Sequence, residues 1–579
     1  MISGIAEKAG PSSVVSKDSA KKRFLALLLT LLLVAASSYT MLSFSKNKFG
    51  RSEISQAEQS REMMLRNDYI ASSYHYIPQI DKPGMIFWLV IPAFKTFGVN
   101  PFAARIQSIV ASTATLTVLA FALRAVFGWQ SALMGALVLA TAERFMEFSG
   151  LCMVDSLLTL FEFGSIASLY AVTVNKERRG LWFLAAGICS GLAVLTKGPV
   201  GLILPGACFL LYIAVTKQLK LLLDKRLLCG LAAFVAVAAP WYVMVARSMS
   251  GPSYVLAWLY HHNIERYFGN AYAYCHPPYY MIESFFMGFV PWSLLIPFVA
   301  VASIKKWRQK ENLAESRCEL LMWMWIVLTI AFFEVSKGKM NYYDLPCFPA
   351  AAGLVGVHLC RWIKLNAPTA RIFAWILGAA LIVVGALSCY ILPHITGPAL
   401  ASWILAPLAI FVPAAFVIYA LCKGNYFKAY ALTGTAILLT LFAISAQALP
   451  AIGKQIPALD YLAQIRADRG DYKLAMHSDF AITVDWVDHG LFITGKIPDV
   501  VNNTKEMSDF LSQKQHVYLI TPADRFAELP EDVRSRVTVV QSRPYISDKL
   551  GVQFLLTRHG DLCGQVPLLL VTNKSPQNQ

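Results

Sequence analysis

Long apolar runs, separated by short polar gaps, repeat along the first three-quarters of the chain. A helix that crosses the ~30 Å hydrocarbon core needs roughly 20 apolar residues. Runs at about 24–44, 103–123, 130–147, 156–174, 181–196, 199–216, 227–247, 281–303, 319–335, 345–363, 372–392, 401–421 and 430–449 meet that need, so the pattern predicts thirteen spans. The run at 85–98 is short, and counting it would put Arg124 and the cluster from Lys176 to Arg179 outside. It reads as a helix lying in the outer interface, anchored by Trp88. Every second gap carries a basic cluster: Lys21-Lys22-Arg23, Arg124, Lys176 to Arg179, Lys217 to Arg226, Lys305 to Arg308, Arg361 to Arg371 and Lys423 to Lys428. Cationic loops stay cytoplasmic, so residues 1–23 form a cytoplasmic polar N-terminus and the first loop, 45–83, lies outside. Residues 21–38 resemble a signal peptide, but the apolar stretch continues through Met41-Leu42, which favours an uncleaved first span.

The same alternation places residues 450–579 outside. Short strand-like runs there (His516 to Thr521, Val537 to Gln541, Val566 to Thr572) alternate with polar helical stretches such as Glu506 to Gln515. The fold class expected is therefore an all-α polytopic membrane protein over 24–449 with a small C-terminal α/β soluble domain. Composition agrees, at 56% hydrophobic and 15% charged residues with a mean hydropathy of +0.51. The net charge of +16 sits largely in the cytoplasmic loops, which removes nucleic acid as a partner. Most of the eleven cysteines fall in apolar runs and no CxxC pair occurs, so neither a disulfide framework nor a zinc site is expected. No internal repeat stands out, which weakens an inverted-repeat transporter.

The outer gaps hold the candidate chemistry. In the first loop, Arg51, Ser55 and Glu58 share a helical face, as do Glu58 and Arg61-Glu62; the bland account is a solvated, ion-paired helix. Asp155 opens an apolar helix, either as an N-terminal cap or as a carboxylate facing a wet cavity. Lys197-Gly198-Pro199 sets a cation on the outer face, where it either snorkels or holds phosphate. Ser336-Lys337-Gly338-Lys339, followed by Tyr342 and Tyr343, repeats the idea, and Arg105 ends a span nearby. The loop 248–280 carries His261-His262, Glu265-Arg266-Tyr267 and His276 before Tyr279-Tyr280; its histidines are metal ligands or plain hydrogen-bonding groups. Cations, carboxylates and flat aromatic faces beside apolar spans suit a lipid-linked phosphorylated substrate.

These segments resemble the ArnT-like bacterial glycosyltransferases of the GT-C superfamily, which also includes the protein O-mannosyltransferases. The resemblance runs in order over about 20–350: Ser52-Glu53 to Arg61-Glu62-Met63, Asp81-Lys82-Pro83 with Phe87-Trp88, Gly98 and Arg105, Val154-Asp155-Ser156-Leu157-Leu158, Leu195-Thr196-Lys197-Gly198-Pro199, His262 to Tyr267, His276 to Tyr280, and Ser336 to Pro346. It implies a multi-pass inner-membrane enzyme with a periplasmic active site. Such an enzyme moves a sugar, such as 4-amino-4-deoxy-L-arabinose, from undecaprenyl phosphate to lipid A or another envelope acceptor, and in such relatives this confers polymyxin resistance. It implies a divalent metal (Zn, Mg or Mn) held by Asp81 and His276, and no nucleotide. The family's first-loop Asp is Ser52 here, and the second Pro of its Lys-Pro-Pro is Gly84. A Ser hydroxyl is no base at neutral pH, so the carboxylate role is expected of Glu53, Asp155 or Glu58. Lys82, Arg105, Lys197, Arg266, Lys337 and Lys339 are the expected phosphate-binding cations, and Tyr279, Tyr342 and Tyr343 the expected sugar or acceptor contacts. The alternatives are a protein O-mannosyltransferase-like enzyme, a flippase of lipid-linked sugars, and a binding protein without activity. The expected partners are the lipid-linked donor, the envelope acceptor and the bilayer, with the protein a monomer.

Overall fold

A computed structural model describes residues 11–46, 48–249, 251–269, 276–309, 312–396, 400–454, 457–468, 470–481, 486–545 and 564–574. Among them, eight helices are long and apolar enough to cross a membrane, or nine if one bent pair counts as a span. Each of the thirteen apolar runs falls on a helix or a helix pair. α1 (Pro11–Ser45) leads to α2 (Arg51–Arg66), a hairpin of β1 (Ser73–Tyr74) and β2 (Ile77–Pro78), and α3 (Met85–Phe97). α4 (Pro101–Ala140) is 40 residues long because two helices meet at Gly128, whose φ of 83° is not helical. The expected span 130–147 ends early. It stops at Ala140, and a separate short helix, α5 (Glu143–Ser149), follows. α6 (Asp155–Val174), α7 (Arg179–Lys197), α8 (Val200–Val215), α9 (Leu227–Ser248) and α10 (Pro252–Leu259) come next. The run at 281–303 is also broken: Tyr280–Gly288 and Trp292–Gln309 meet at a bend of 111°.

The charged ends of the helices sort by face. Lys306, Glu315, Glu319 and Arg361 form one ion-paired cluster, and Arg179 pairs with Asp224. These lie at the helix ends that the basic gaps mark. The end of α1, the start of α6, the end of α7 and the end of Leu313–Val335 lie at the other end of the bundle, and the side chains discussed below come from there.

α3 is the short apolar helix that its sequence predicts. It buries Ile86, Phe87, Val90, Ile91, Ala93 and Phe94, and the Trp88 indole N–H donates to the Tyr69 carbonyl at 2.7 Å. α2 differs from the solvated helix expected of so polar a sequence. Glu53, Gln56, Glu58, Gln59, Arg61 and Glu62 are all buried, because each charge finds a partner within the fold. At the C-terminus a five-stranded sheet has the order β4-β3-β5-β7-β6. β3 (Tyr472–His477) pairs parallel with β4 (Asp499–Val501) and β5 (His516–Pro522), and β7 (Gly564–Thr572) runs antiparallel to β5 and β6 (Thr538–Tyr545).

Candidate active site

A cavity of about 750 Å³ opens at that end of the bundle. α2 brings Ser52, Ser55 and Gln56 to it; the turn before α3 brings Asp81, Lys82 and Pro83. Asp155 comes from the start of α6 and Lys197 from the end of α7; Trp258 comes from α10, and His262, Arg266 and Tyr267 from the helical turns that follow it. Met340, Tyr342 and Tyr343 close the far wall. The segments read as sharing one face from the sequence therefore share one pocket.

The centre is an ion pair. The Lys197 ammonium donates to Asp155 Oδ1 at 2.6 Å, while Asp155 Oδ2 is buried without a hydrogen-bond partner among the described residues. Lys197 Nζ also stands 4.3 Å from the Tyr343 ring centroid and 5.5 Å from that of Tyr342, within cation–π range. Its position depends on Gly198, which ends α7 at φ 88°, a conformation that suits a residue without Cβ. On the opposite wall Lys82 donates to Asp81 Oδ1 at 3.0 Å, Gln56 Nε2 donates to Asp81 Oδ2 at 3.2 Å, and His262 Nδ1 lies 3.8 Å from Asp81 Oδ1. Burial alone would push the Asp81 carboxyl up, but Lys82, His262 and Arg266 outweigh it and hold it below its usual value. Burial lowers the His262 imidazole despite Asp81, so the ring is neutral near pH 7.

Several expected residues lie elsewhere. Glu53 and Arg105 are not in the cavity lining. Arg105 is fully buried, with Nε 2.9 Å from Glu53 Oε1, and donates to the Ser43, Lys46 and Lys48 carbonyls. Glu58 takes two hydrogen bonds from Arg61, at 2.8 and 2.6 Å, away from the cavity. Lys339 pairs with Glu334 at 2.6 Å. Lys337 is not a lining residue; its backbone N–H donates to Tyr267 O at 2.9 Å and so fixes the loop that carries Arg266. Tyr279 is exposed and outside the lining. His276 is outside it too, with its ring stacked on Tyr280 at 3.8 Å.

The expected metal donors are therefore not gathered. Asp81 is engaged by Lys82 and Gln56, His276 stacks on Tyr280, and among the described residues no group of three or more His, Cys, Asp or Glu could hold an ion. Among the described residues, Asp81 and His276 do not come together as a metal centre.

Two buried features escaped the sequence reading. Arg144 Nη1 donates to Asp344 Oδ2 at 2.9 Å and to Ser284 Oγ at 2.8 Å, and burial raises the Asp344 carboxyl to about 6 even against Arg144. Glu162, two turns along α6 from Asp155, is fully buried with neither carboxylate oxygen hydrogen-bonded among the described residues. An acid between Phe161 and Phe163 in an apolar helix was its visible signal.

Residues 81–243 match the family model described as dolichyl-phosphate-mannose-protein mannosyltransferase. The chain is 28% identical to an undecaprenyl phosphate-alpha-4-amino-4-deoxy-L-arabinose arabinosyl transferase of Erwinia tasmaniensis over 53% of its own length and 54% of that protein's. A protein of the same name from Pectobacterium carotovorum is 28% identical over 70% of this chain and 71% of its own. The chain thus spans about half the length of the Erwinia relative. ArnT from Cupriavidus metallidurans, solved bound to undecaprenyl phosphate, superposes with a TM-score of 0.70 at 19% identity, covering 96% of this chain and 99% of the other; its apo form gives 0.66 at 18% identity, covering 96% and 98%. The chain is a multi-pass membrane protein with the fold of the solved ArnT structures.

Proposed function

We propose that this protein is an inner-membrane glycosyltransferase that moves a sugar from undecaprenyl phosphate, or a similar polyprenyl phosphate, to lipid A or another envelope acceptor at the periplasmic face. The names of the relatives and the ArnT-like fold support this reading. The observation that carries it is the Asp155–Lys197 pair set in a cavity with Lys82 and Arg266. One oxygen of Asp155 is fixed by Lys197, and the other, buried and without a hydrogen-bond partner among the described residues, is the one left to take the proton of an acceptor hydroxyl. The acceptor oxygen bonds to the anomeric carbon from the face opposite the phosphate, and the carbon–oxygen bond to the phosphate breaks. The configuration inverts, and the polyprenyl phosphate leaves with one more negative charge. Lys197, Lys82 and Arg266 hold that charge, Lys197 through the N–H groups it does not give to Asp155. An acceptor phosphate needs no base and would use Asp155 for orientation alone.

The test is transfer of a labelled sugar from a polyprenyl-phosphate donor to lipid A by the purified full chain. Asp155→Asn keeps the shape and removes the charge, and a drop of at least about 100-fold with normal membrane insertion is expected. Full activity in that variant would remove the mechanism.

A further inference from the structure

Arg144 and Asp344 are buried charges that lie outside the cavity lining, and the transfer step as described does not use them. Arg144 belongs to the first turn of α5, Ser284 to the helix Tyr280–Gly288, and Asn341 and Asp344 to the loop that follows the helix Leu313–Val335. The Arg144 guanidinium meets the Asn341 carbonyl, and its Nη1 donates to Asp344 Oδ2 at 2.9 Å. Ser284 Oγ donates to the Asn341 carbonyl at 2.6 Å. Gly288 leaves the room for this, since a Cβ there would stand 2.5 Å from Arg144 Cζ.

Between the two gripped residues come Tyr342 and Tyr343, which line the cavity. The tyrosine pair is thus held by the backbone carbonyl just before it and the side chain just after it. α5 adds Phe148, one turn beyond Arg144, whose ring centroid stands 5.2 Å from that of Tyr342. On the cavity side the Lys197 ammonium stands 4.3 Å from the Tyr343 ring and 5.5 Å from the Tyr342 ring. An ammonium shared between a carboxylate oxygen and two ring faces is sensitive to where those rings stand. A misplacement of about 1 Å at a reacting centre can cost about 100-fold in rate.

A buried ion pair is a weak device for stability, because two apolar side chains of similar volume often serve as well. What they do not supply is direction. A guanidinium holds its acceptors at set angles, and an apolar contact does not.

We infer that Arg144, Asp344 and Ser284 are positioning residues for sugar transfer, a clamp behind the cavity wall that sets the Tyr342–Tyr343 turn and, through it, the Lys197 ammonium. This rests on the glycosyl-transfer reading above and adds to it residues that stand outside the cavity.

The full chain in detergent is assayed with lipid A and with 4-amino-4-deoxy-L-arabinosyl, glucosyl and mannosyl undecaprenyl phosphate, and its thermal unfolding is followed in parallel. Arg144→Met and Asp344→Leu each leave a buried charge without its partner, so both variants should melt below the parent. The double variant carries no unpaired charge and should melt above either single one. Its kcat should nevertheless stay about tenfold below the parent's, with the donor KM within about twofold. Lys82 and Arg266 still line the cavity to hold the phosphate, while the Lys197 ammonium is displaced. Tyr343→Leu should lower kcat by a similar factor, and adding it to the double variant should cost less than about twofold more. A kcat that returns together with thermal stability in the double variant makes the clamp merely structural and overturns the proposal. Losses confined to KM, or losses that multiply when Tyr343→Leu is added, overturn it as well. In each of those cases the parent transfers sugar and the glycosyl-transfer reading stands. A parent that transfers sugar from none of the three donors overturns that reading and this one together.

Discussion

Glu53 accepts four hydrogen bonds: from Arg105 Nε and Nη2 at 2.9 and 3.2 Å, from the Gly50 backbone N–H at 2.9 Å, and from the Cys152 backbone N–H at 2.7 Å. Burial pushes its carboxyl up, but Arg105 and the backbone donors prevail and hold it below the usual 4.5. A carboxyl lowered on folding contributes stability above its unfolded value, and that contribution is lost as the pH falls through the folded one. The parent should therefore lose thermal stability as the pH falls below the usual 4.5 and through the lower folded value. Glu53→Gln should lose roughly 3 kcal/mol at neutral pH, because Arg105 is left buried without its counter-charge, and should show a shallower acid slope. Thermal unfolding of the two proteins across that range checks the sign; parallel curves would refute it. The acid of the motif that this chain resembles falls on the residue just before, Ser52, so a charged helix start pointed to Glu53 by position alone. What separates the two neighbours is direction. One faces Arg105 and the other the cavity, and a single sequence does not carry that.

Turns at element ends decide where the cations stand. Gly198 sits at φ 88° between Lys197 and Pro199, and Gly198→Ala should cost about 1 kcal/mol and rotate the Lys197 stem out of reach of Asp155. Sugar transfer measured beside thermal stability would show activity falling further than stability; equal small losses would make the glycine merely structural. Gly84 answers a different need. A Cβ there would stand 2.7 Å from the Trp88 ring and 3.0 Å from Trp241 Nε1, which explains why this chain lacks the second proline of the motif it otherwise resembles. The thirteen apolar runs were legible because a bilayer demands length and apolarity over many residues. The breaks after Ala140 and at 289–291 were not, since the apolar pattern runs through both. α2 was misread because polar composition signals solvent unless the partners are known. Arg105 lies 52 positions from Glu53, and the pairing exists only in three dimensions. Asp155 and Lys197 were legible because a charge at the edge of an apolar span needs a reason to be there; Lys82 stood out through the motif that Asp81-Lys82-Pro83 resembles.

The C-terminal domain bears on the site through α2. Its helix Trp486–Thr494 places Phe492 edge-on to Phe49 at 5.0 Å, and Phe49 lies 5.1 Å from the Arg105 guanidinium that holds Glu53. Around this contact His75 Nε2 meets Asp488 Oδ1 at 2.7 Å, the Lys48 ammonium sits 5.0 Å from the Trp486 ring, and Tyr76 Oη donates to the Gly495 carbonyl at 3.3 Å. α2 is thus held from behind by the C-terminal sheet region while Ser52, Ser55 and Gln56 line the cavity. Phe492 belongs to the same apolar cluster as Ile54, Phe87, Val154 and Leu157, so the domain is packed into the helical unit and not merely tethered to it. Phe492→Ala should cost about 3 kcal/mol, as truncation of a buried aromatic does. Its effect on transfer should come through the donor's KM, because the α2 wall loosens while Asp155 and Lys197, held by α6 and α7, stay in place. Limited proteolysis between 450 and 486 should accelerate in the same variant. A mutant that is cleaved faster yet keeps the parent KM would show that the domain stabilises the chain without shaping the cavity, and a fall in kcat at constant KM would place its influence on the reacting groups instead.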